Sequence, residues 1–396
     1  MSADLDGLRE RTRVFVREIC IPAEQRDDGV HGPAPELRAE LQEQARAAGL
    51  FAPQVAVELG GHGLTARGQS SIFEEAGYSF LGPLALNCAA PDEGNMHLLS
   101  LVANAAQKAR YLEPLTAGRT RSAFAMTEPP PGAGSDPAML VTRARPDGGD
   151  WVVDGVKQFI TGAEGASFFI CMARTGERIA HGEGATMLLI DADLPGITIE
   201  RSIPTLDRSF PGGHAVVRFD GCRVGHEAVL GEVGLGYRYA QARLAPARLT
   251  HCMRFLGLAR RALDTALDHA AGREAFGLAL SEHGMVQQMV ADSVIEIEAS
   301  RGLIRSCAEV LDAGQSGRKE SSVAKVFVSE AVGRIIDRAA QIAGGLGVSH
   351  DRAIARAMLE ARGFRIYDGP SEVHRMSLAK RAFRERSDTS EGTATR

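Results

Sequence analysis

The chain lacks the paired cysteines of a disulfide-rich or zinc-binding protein. Its six cysteines lie far apart and none belongs to a C-x-x-C pair. Disulfide frameworks and structural zinc sites need closely spaced cysteines, so both are excluded and a reducing, cytoplasmic location is expected. The eleven histidines form no H-x-x-x-H or H-E-x-x-H pair, so metal catalysis has no support either.

Long apolar runs and a strong net charge are also missing. No run approaches the roughly 18 apolar residues that cross a bilayer, and the first thirteen residues are charged rather than apolar. The net charge of −5 gives no case for nucleic acid or an anionic membrane as a partner. We therefore expect neither to bind.

Hydrophobic periodicity divides the chain into helices, strands and helices again. The first third is helical, short alternating segments follow from about Gly118, and helical patterns return after Gly236. Pro146–Asp150 is typical of a hairpin turn between two strands. We predict an α+β chain with a helical domain at 1–118, a β-domain at 119–233, a second helical domain at 234–386 and a disordered tail at 387–396.

The segment Phe124–Asp136, FAMTEPPPGAGSD, is the most suggestive stretch of the β-region. A strand ending in Met126 and Thr127 offers backbone N–H groups and a hydroxyl, and the glycines that follow let the backbone approach a bulky polar ligand. It is also explained by a tight turn, because proline and glycine clusters usually mark one.

Three further segments carry polar groups that a scaffold does not need. Phe159 and Thr161 end a strand two residues apart, hence on one face, where a planar ligand could stack. Arg273 closes a long helix and could grip phosphate with its fork, and the run 341–347 brings glycines after another helix. An edge aromatic, a solvated arginine and a helix C-cap explain the three segments equally well.

Taken together and in this order, the segments resemble the acyl-CoA dehydrogenase family of flavoenzymes. The resemblance covers roughly residues 5–383. Its most specific pieces are Ala125-Met126-Thr127-Glu128-Pro129, Gly134-Ser135-Asp136, Phe159-Ile160-Thr161-Gly162, Arg273-x-x-Phe276-Gly277, Gln341-x-x-Gly344-Gly345-x-Gly347 and Tyr367-Asp368-Gly369-Pro370-Ser371-Glu372. The Asp-Gly-Pro-x-Glu-Val-His run ending at His374 is similar to one branch of the family.

This resemblance implies the fold, the cofactor and the residues that hold it. The implied fold has an N-terminal helical domain, a middle antiparallel β-barrel or sandwich, and a C-terminal four-helix bundle. The implied cofactor is FAD, with Met126 and Thr127 at the flavin pyrimidine edge, Phe159 (where the family usually has Trp) on one flavin face and Thr161 at flavin N5. The full implied FAD set is Phe124, Met126, Thr127, Ser135, Phe159, Thr161, Arg273, Phe276, Gln341, Gly344, Gly345, Pro370 and Glu372, of which Arg273, Gln341, Gly344 and Gly345 come from a neighbouring subunit.

The resemblance also implies the reaction. Asp368 is the base that removes the α-proton of an acyl thioester, while Ser135, Arg248 and Gly369 meet the substrate. The majority pattern has Glu in place of Asp368, and one missing methylene retracts the carboxylate by about 1.5 Å, enough to matter for rate. Another base position used in the family is Ala247 here, so that alternative is absent.

The implied partners are an acyl-CoA or acyl carrier thioester, an electron-transferring flavoprotein, and further copies of the chain in a homodimer or homotetramer. The expected role is in fatty acid metabolism. Asp92, Glu93 and Asn95 are expected at the acyl end of the pocket, which favours a substrate with a polar group such as a hydroxyl. Two alternatives stay open: a flavin oxidase or monooxygenase on the same fold, and a catalytically silent flavin- or acyl-CoA-binding protein.

Overall fold

The computed structural model describes residues 2–27, 31–176 and 183–393. Helices come first, as the periodicity predicts; Leu37 and Leu41, for example, form a buried stripe on the helix that begins at Pro35. These N-terminal helices are α1 Ser2–Phe15, α2 Ile21–Ala23, α3 Pro35–Ala47, α4 Ala66–Ala76, α5 Gly82–Ala85, α6 Asp92–Val102, α7 Ala105–Gln107 and α8 Glu113–Thr116.

A single eight-stranded sheet follows. Its strands are β1 Ser122–Ala125, β2 Arg143–Asp147, β3 Asp150–Thr161, β4 Phe168–Arg174, β5 Ala185–Asp191, β6 Ile197–Ser202, β7 His214–Val224 and β8 Val229–Leu230. Their order is β6-β7-β3-β2-β4-β5-β8, and β1 pairs with β4 beside this path. The predicted hairpin joins β2 to β3.

The sheet departs from the predicted antiparallel arrangement at two places. Strand β1 pairs with β4 in parallel, and β2 meets β4 in parallel at Arg143 and Arg174. Parallel neighbours need a long connection instead of a tight turn, and here the cofactor-type loop and the β2–β3 hairpin lie between β1 and β4. Alternation along a strand does not reveal pairing direction, so the sequence could not show this.

Strand β4 separates two hydrophobic cores. Phe168, Ile170 and Met172 belong to the large core shared with the helices, whereas the alternate residues Phe169 and Cys171 belong to a smaller core inside the β-domain. One face of the sheet is therefore packed on the helices. This packing brings the ends of β1 and β3 into the same region as the C-terminal helices.

The C-terminal helices complete the fold. They are α9 Gly236–Gly272, α10 Gly284–Asp312, α11 Arg318–Ala343, α12 Ala353–Arg362 and α13 Ser371–Thr393, with a small hairpin of β9 Glu274–Ala275 and β10 Leu278–Ala279 after α9. Helix α11 packs against α9, α10, α12 and α13. Within the three described ranges, no helix has both the length and the apolar character needed to cross a bilayer.

Helix α13 extends into the segment 387–396, which the sequence predicts to be a disordered tail. The helix continues to Thr393, and residues 394–396 lie outside the described part of the chain. Small polar residues are weak helix formers, but no proline interrupts this segment, and an ion pair one turn apart joins Arg381 to Glu385 at 2.7 Å. Local composition alone did not predict this extension, because it does not show how far a helix that has already formed will continue.

Candidate active site

The loop before α13 holds Asp368 and Gly369 in left-handed backbone conformations, with φ of 54° and 94°. Arg248 Nε and His374 Nε2 lie 2.8 and 3.2 Å from the Asp368 carbonyl oxygen, and Lys325 Nζ donates to the Gly369 carbonyl at 2.6 Å. A non-glycine residue in this conformation is strained. Side chains from three helices therefore hold the loop in a shape that it would not adopt alone.

The Asp368 carboxylate faces a histidine that the sequence analysis did not identify. His251 Nε2 lies 3.5 Å from Asp368 Oδ2, and Arg254 Nη2 lies 3.3 Å from the other ring nitrogen. An arginine can only donate, so His251 Nδ1 is the acceptor and Nε2 carries the hydrogen toward Asp368. The only sequence signal was its position three residues after Arg248, on the same side of α9.

Positive charge surrounds the Asp368 carboxylate. Burial lowers the pKa of Arg248 and of Arg243, while the charge of Asp368 acts in the opposite direction on both. Burial also lowers the pKa of Lys325 to about 8, again opposed by Asp368. Burial and neighbouring cations hold the pKa of His251 well below its ordinary value, so this imidazole is neutral at neutral pH.

Mild acid is expected to weaken the fold through His374. Burial, followed by the charges of Arg248 and Lys325, lowers the pKa of His374 from 6.5 to about 4. As pH falls below 6.5 the unfolded chain takes up this proton before the folded one, so stability is lost down to about pH 4, by up to about 1.4 kcal/mol per pH unit. Between pH 7 and pH 5, His374→Gln should therefore lose about 2 kcal/mol less than the wild type in urea unfolding.

The matched control for this experiment is His226→Gln, because His226 is exposed in the β-domain. It should keep the wild-type pH dependence. If His374→Gln keeps it as well, His374 does not titrate differently in the folded and unfolded states.

The loop after β1 is tied down by a buried ion pair. Lys157 Nζ and Glu128 Oε1 are 2.9 Å apart and both side chains are fully buried. The Glu128 carboxylate also accepts the N–H groups of Ala133, Val141 and Thr142, which closes the proline- and glycine-rich segment onto itself. The strand ends at Ala125, one or two residues before the predicted end, because the backbone after Ala125 takes part in this network instead of in strand pairing.

The same ion pair joins the loop to the end of β3. Lys157 Nζ donates to the carbonyl oxygen of Met126 at 3.1 Å, and the Gln158 N–H donates to the Thr127 carbonyl at 2.8 Å. The two segments that the sequence singled out for a cofactor, 124–128 and 159–161, are thus brought together. No motif in the sequence links Glu128 to Lys157.

The end of β3 presents an aromatic ring and a hydroxyl. Phe159 has a φ of 56° at a register irregularity between Lys157 and Ile160, and its side chain is 52% exposed. Ile160 is buried and Thr161 is half-buried, as strand alternation predicts. The ring of Phe124, also predicted to meet the cofactor, lies under the guanidinium of Arg243 at 4.2 Å.

These features fit a flavin. An exposed aromatic ring in a strained backbone position can cover a planar ring system, and the Thr161 hydroxyl and the Met126–Thr127 backbone supply polar groups beside it. A strained backbone conformation persists only where the surrounding contacts hold it in place. Here the Lys157 network provides those contacts. An aromatic ring next to a hydroxyl and backbone polar groups is the arrangement expected for binding a large planar molecule with polar edges.

The other predicted FAD residues lie away from this region or at its rim. Arg273, Phe276, Gln341, Gly344 and Gly345 are exposed at the ends of α9 and α11, and Phe276 is 98% exposed with a φ of 52°. Ser135 is exposed in its loop, Pro370 is half-buried and Glu372 is exposed. None of the hydrogen bonds described above links Arg273, Phe276 or the residues 341–345 to Asp368 or Phe159.

A cavity of about 70 Å³ lies beside His251. Its walls come from all three parts of the chain and include Phe80, Phe210, Arg254 and Glu360. His251 therefore contacts Asp368 and also lines this cavity.

The predicted acyl-end residues instead hold the parts of the chain together. Asp92 accepts from the N–H and hydroxyl of Ser122, Asn95 accepts from Arg243 at 2.8 Å, and Glu93 accepts from the Thr250 hydroxyl at 2.8 Å. Their polar groups are occupied, and none of the three lines the cavity. The expectation that these residues favour a polar substrate therefore gains no support from their contacts and stays a prediction.

Comparison with known proteins gives consistent matches over most of the chain. Family models for the N-terminal, middle and C-terminal domains of acyl-CoA dehydrogenase match residues 2–119, 123–220 and 234–383. A Mycobacterium tuberculosis protein named "Probable acyl-CoA dehydrogenase FadE2" is 39% identical, with 96% of this chain and 95% of that protein covered.

Two further matches differ in extent. Acyl-CoA dehydrogenase family member 11 of Rattus norvegicus is 36% identical over 93% of this chain, but the chain spans only 49% of that protein. The structure of butyryl-CoA dehydrogenase from Megasphaera elsdenii superposes with a TM-score of 0.85 at 26% identity, covering 96% of this chain and 98% of that one.

Proposed function

The chain belongs to the acyl-CoA dehydrogenase family, and we propose that it converts an acyl-CoA thioester into the trans-2-enoyl thioester with FAD as cofactor. The observation that carries this proposal is the Asp368 loop. Its carboxylate is held by a strained backbone and lies 3.5 Å from His251, which lines a cavity.

In the proposed reaction Asp368 accepts the α-proton of the thioester. Carbon acids are weak, so this step needs a carboxylate placed within reach of the proton. Arg248 fixes the carboxylate by holding the Asp368 carbonyl, and Gly369 and Ser135 meet the thioester. Bound FAD supplies the acceptor for the β-hydride, chemistry that side chains cannot provide, and an electron-transferring flavoprotein takes the electrons.

One subunit provides most of the proposed FAD contacts. Phe159 covers the flavin, Thr161 and the Met126–Thr127 backbone meet its polar atoms, and Phe124 supports them. Ser135, Pro370 and Glu372 complete this half. Support comes from the Lys157 and Glu128 network, which holds the loop through contacts within the protein.

A neighbouring subunit provides the remainder. Arg273, Phe276, Gln341, Gly344 and Gly345 lie on the surface, where a second subunit can reach them, and Phe276 is 98% exposed. We place these residues against the adenosine diphosphate part of the FAD held mainly by the other subunit, which requires a homodimer or a homotetramer of two such dimers.

Complementation between inactive variants tests this shared site. Arg273→Ala and Asp368→Asn subunits are each expected to be inactive, one through FAD binding and the other through proton abstraction. A mixed dimer places an intact Arg273 against an intact Asp368 in one of its two sites, so random co-assembly should restore about one quarter of wild-type turnover. No recovery, despite mixed dimers detected by two affinity tags, would show that Arg273 serves its own subunit.

The activity itself is tested by mixing the purified yellow protein with saturated acyl-CoAs in the absence of oxygen. Loss of the flavin's visible absorption is expected, and its rate ranks chain lengths, branched chains and hydroxylated chains. The same acyl groups on an acyl carrier protein show which carrier is used. Released flavin at the same concentration is the control, because it should not be bleached.

Other results of this experiment point to the alternatives. Hydrogen peroxide or a hydroxylated product in air would indicate an oxidase or monooxygenase, whereas reoxidation that depends on an electron-transferring flavoprotein supports the dehydrogenase. A yellow protein that binds ligand but never bleaches would be catalytically silent. A protein unable to take up FAD would overturn the proposal.

A further inference from the structure

Thr161 stands at the end of a buried hydrogen-bonded chain that reaches a carboxylate. Thr161 Oγ1 lies 2.9 Å from His214 Nδ1, and His214 Nε2 lies 3.0 Å from Asp207 Oδ2. The side chains of His214 and Asp207 are only 11% and 8% exposed. Asp207 and His214 come from the β6–β7 connection and the start of β7, and neither belongs to a motif noted in the sequence.

The carboxylate end of this chain is firmly held. Glu360 on α12 accepts the N–H groups of Arg208 and Ser209 at 2.9 and 3.3 Å, which fixes the backbone next to Asp207. Burial raises the pKa of Asp207, but the hydrogen bond from His214 and smaller contributions together outweigh burial, and the pKa of Asp207 lies below its ordinary value. Asp207 is therefore an ionised acceptor at neutral pH.

The direction of each hydrogen bond follows from this charge. An ionised carboxylate can only accept, so His214 Nε2 carries a hydrogen, and an imidazole that holds this one hydrogen has only a lone pair on Nδ1. The Thr161 hydroxyl must then donate to His214. Its single hydrogen is occupied, and the Thr161 oxygen offers only lone pairs to a ligand at the end of β3.

We propose that His214 is a positioning residue that fixes the Thr161 hydroxyl as a hydrogen-bond acceptor toward the cofactor and so favours reduced over oxidised flavin. This inference rests on the proposed function, in which Thr161 meets flavin N5. That nitrogen is an acceptor in oxidised flavin and carries a hydrogen in reduced flavin. A neighbour that can only accept therefore stabilises the reduced form and repels the oxidised one.

The flavin reduction potential tests the inference at pH 8, above the ordinary titration range of imidazole. In His214→Phe the Thr161 hydroxyl can turn and donate to oxidised flavin. The equilibrium should shift about fivefold to tenfold toward oxidised flavin, the effect of one hydrogen bond, which lowers a two-electron potential by about 20–30 mV. His226→Phe, on the exposed side of the same domain, should leave the potential unchanged.

A double-substitution cycle shows whether His214 acts through Thr161. In a Thr161→Val background, which has no hydroxyl, adding His214→Phe should cause no further shift. An equal shift with and without the hydroxyl would overturn the inference, as would a wild-type potential in His214→Phe. Asp207→Asn serves if His214→Phe does not fold, because an amide no longer fixes the histidine tautomer; its potential should fall in the same direction, and an unchanged value overturns the inference.

Failure of the proposed function gives a different result. A wild-type protein without bound flavin, or with flavin that no acyl thioester reduces, counts against the proposed function. The potential of bound flavin can be measured with a chemical reductant and reference dyes, so the His214 inference is decided even if no acyl substrate is found.

Discussion

Replacing Asp368 by Asn is expected to lower the rate of flavin bleaching by about 100- to 10,000-fold, the usual contribution of a general base. The amide has nearly the same shape as the carboxylate but cannot accept the α-proton. The contacts that hold the loop go to the backbone carbonyls of Asp368 and Gly369, so the loop should keep its conformation. FAD content, thioester binding and unfolding free energy should stay near wild type.

Two further variants make this experiment specific. Asp154→Asn removes an exposed carboxylate from the β-domain and should not affect turnover. Asp368→Glu keeps the charge but extends the carboxylate by one methylene, so its activity should fall between wild type and Asp368→Asn, since misplacement on the order of 1 Å can cost about 100-fold. Full activity in Asp368→Asn would show that the base lies elsewhere, with His251 the nearest candidate.

The second large effect is expected from the ion pair beneath the cofactor loop. Lys157→Met should lower the free energy of unfolding by about 3–5 kcal/mol, because removing one partner of a buried pair leaves an uncompensated charge. Both side chains are fully buried, and burial alone would raise the pKa of Glu128, which the charge of Lys157 and several hydrogen bonds instead hold below its ordinary value. The carbonyls of Met126 and Met172 would also lose a donor.

A matched exposed pair in the same sheet provides the control. Arg145 and Asp154 are 2.7 Å apart, with side chains 63% and 39% exposed. Arg145→Met should change stability by at most about 1 kcal/mol, because water already solvates these charges. Urea unfolding of both variants decides the matter: equal effects would mean that burial does not strengthen the Lys157–Glu128 pair.

Loss of FAD should accompany the loss of stability in Lys157→Met. The lysine joins the Met126 carbonyl to Glu128, so without it the loop is no longer ordered before the ligand binds. FAD affinity should therefore fall in Lys157→Met and stay unchanged in Arg145→Met. The measurement is the fraction of flavin released on dilution.

The order of helices, sheet and helices was predictable because hydrophobic periodicity reports which residues are buried and with what period. The loop motifs and Asp368 pointed to one family, since glycine, proline and polar residues at those spacings serve local backbone needs that are visible in a short window. The hairpin at Pro146–Asp150 is of the same kind, because neighbouring residues decide a turn.

Only the tertiary structure decided what lies next to these residues. The parallel pairing of β1 with β4, the Glu128–Lys157 pair, and the positions of His251 and His214 beside Asp368 and Thr161 all join residues far apart in the chain. Asp92 and Asn95 likewise bind Ser122 and Arg243, which are distant in the sequence. By itself the sequence determined the fold class and the family; the packing of the helices on one face of the sheet determined which polar groups meet, because periodicity records that a side chain is buried but not the partner that it contacts.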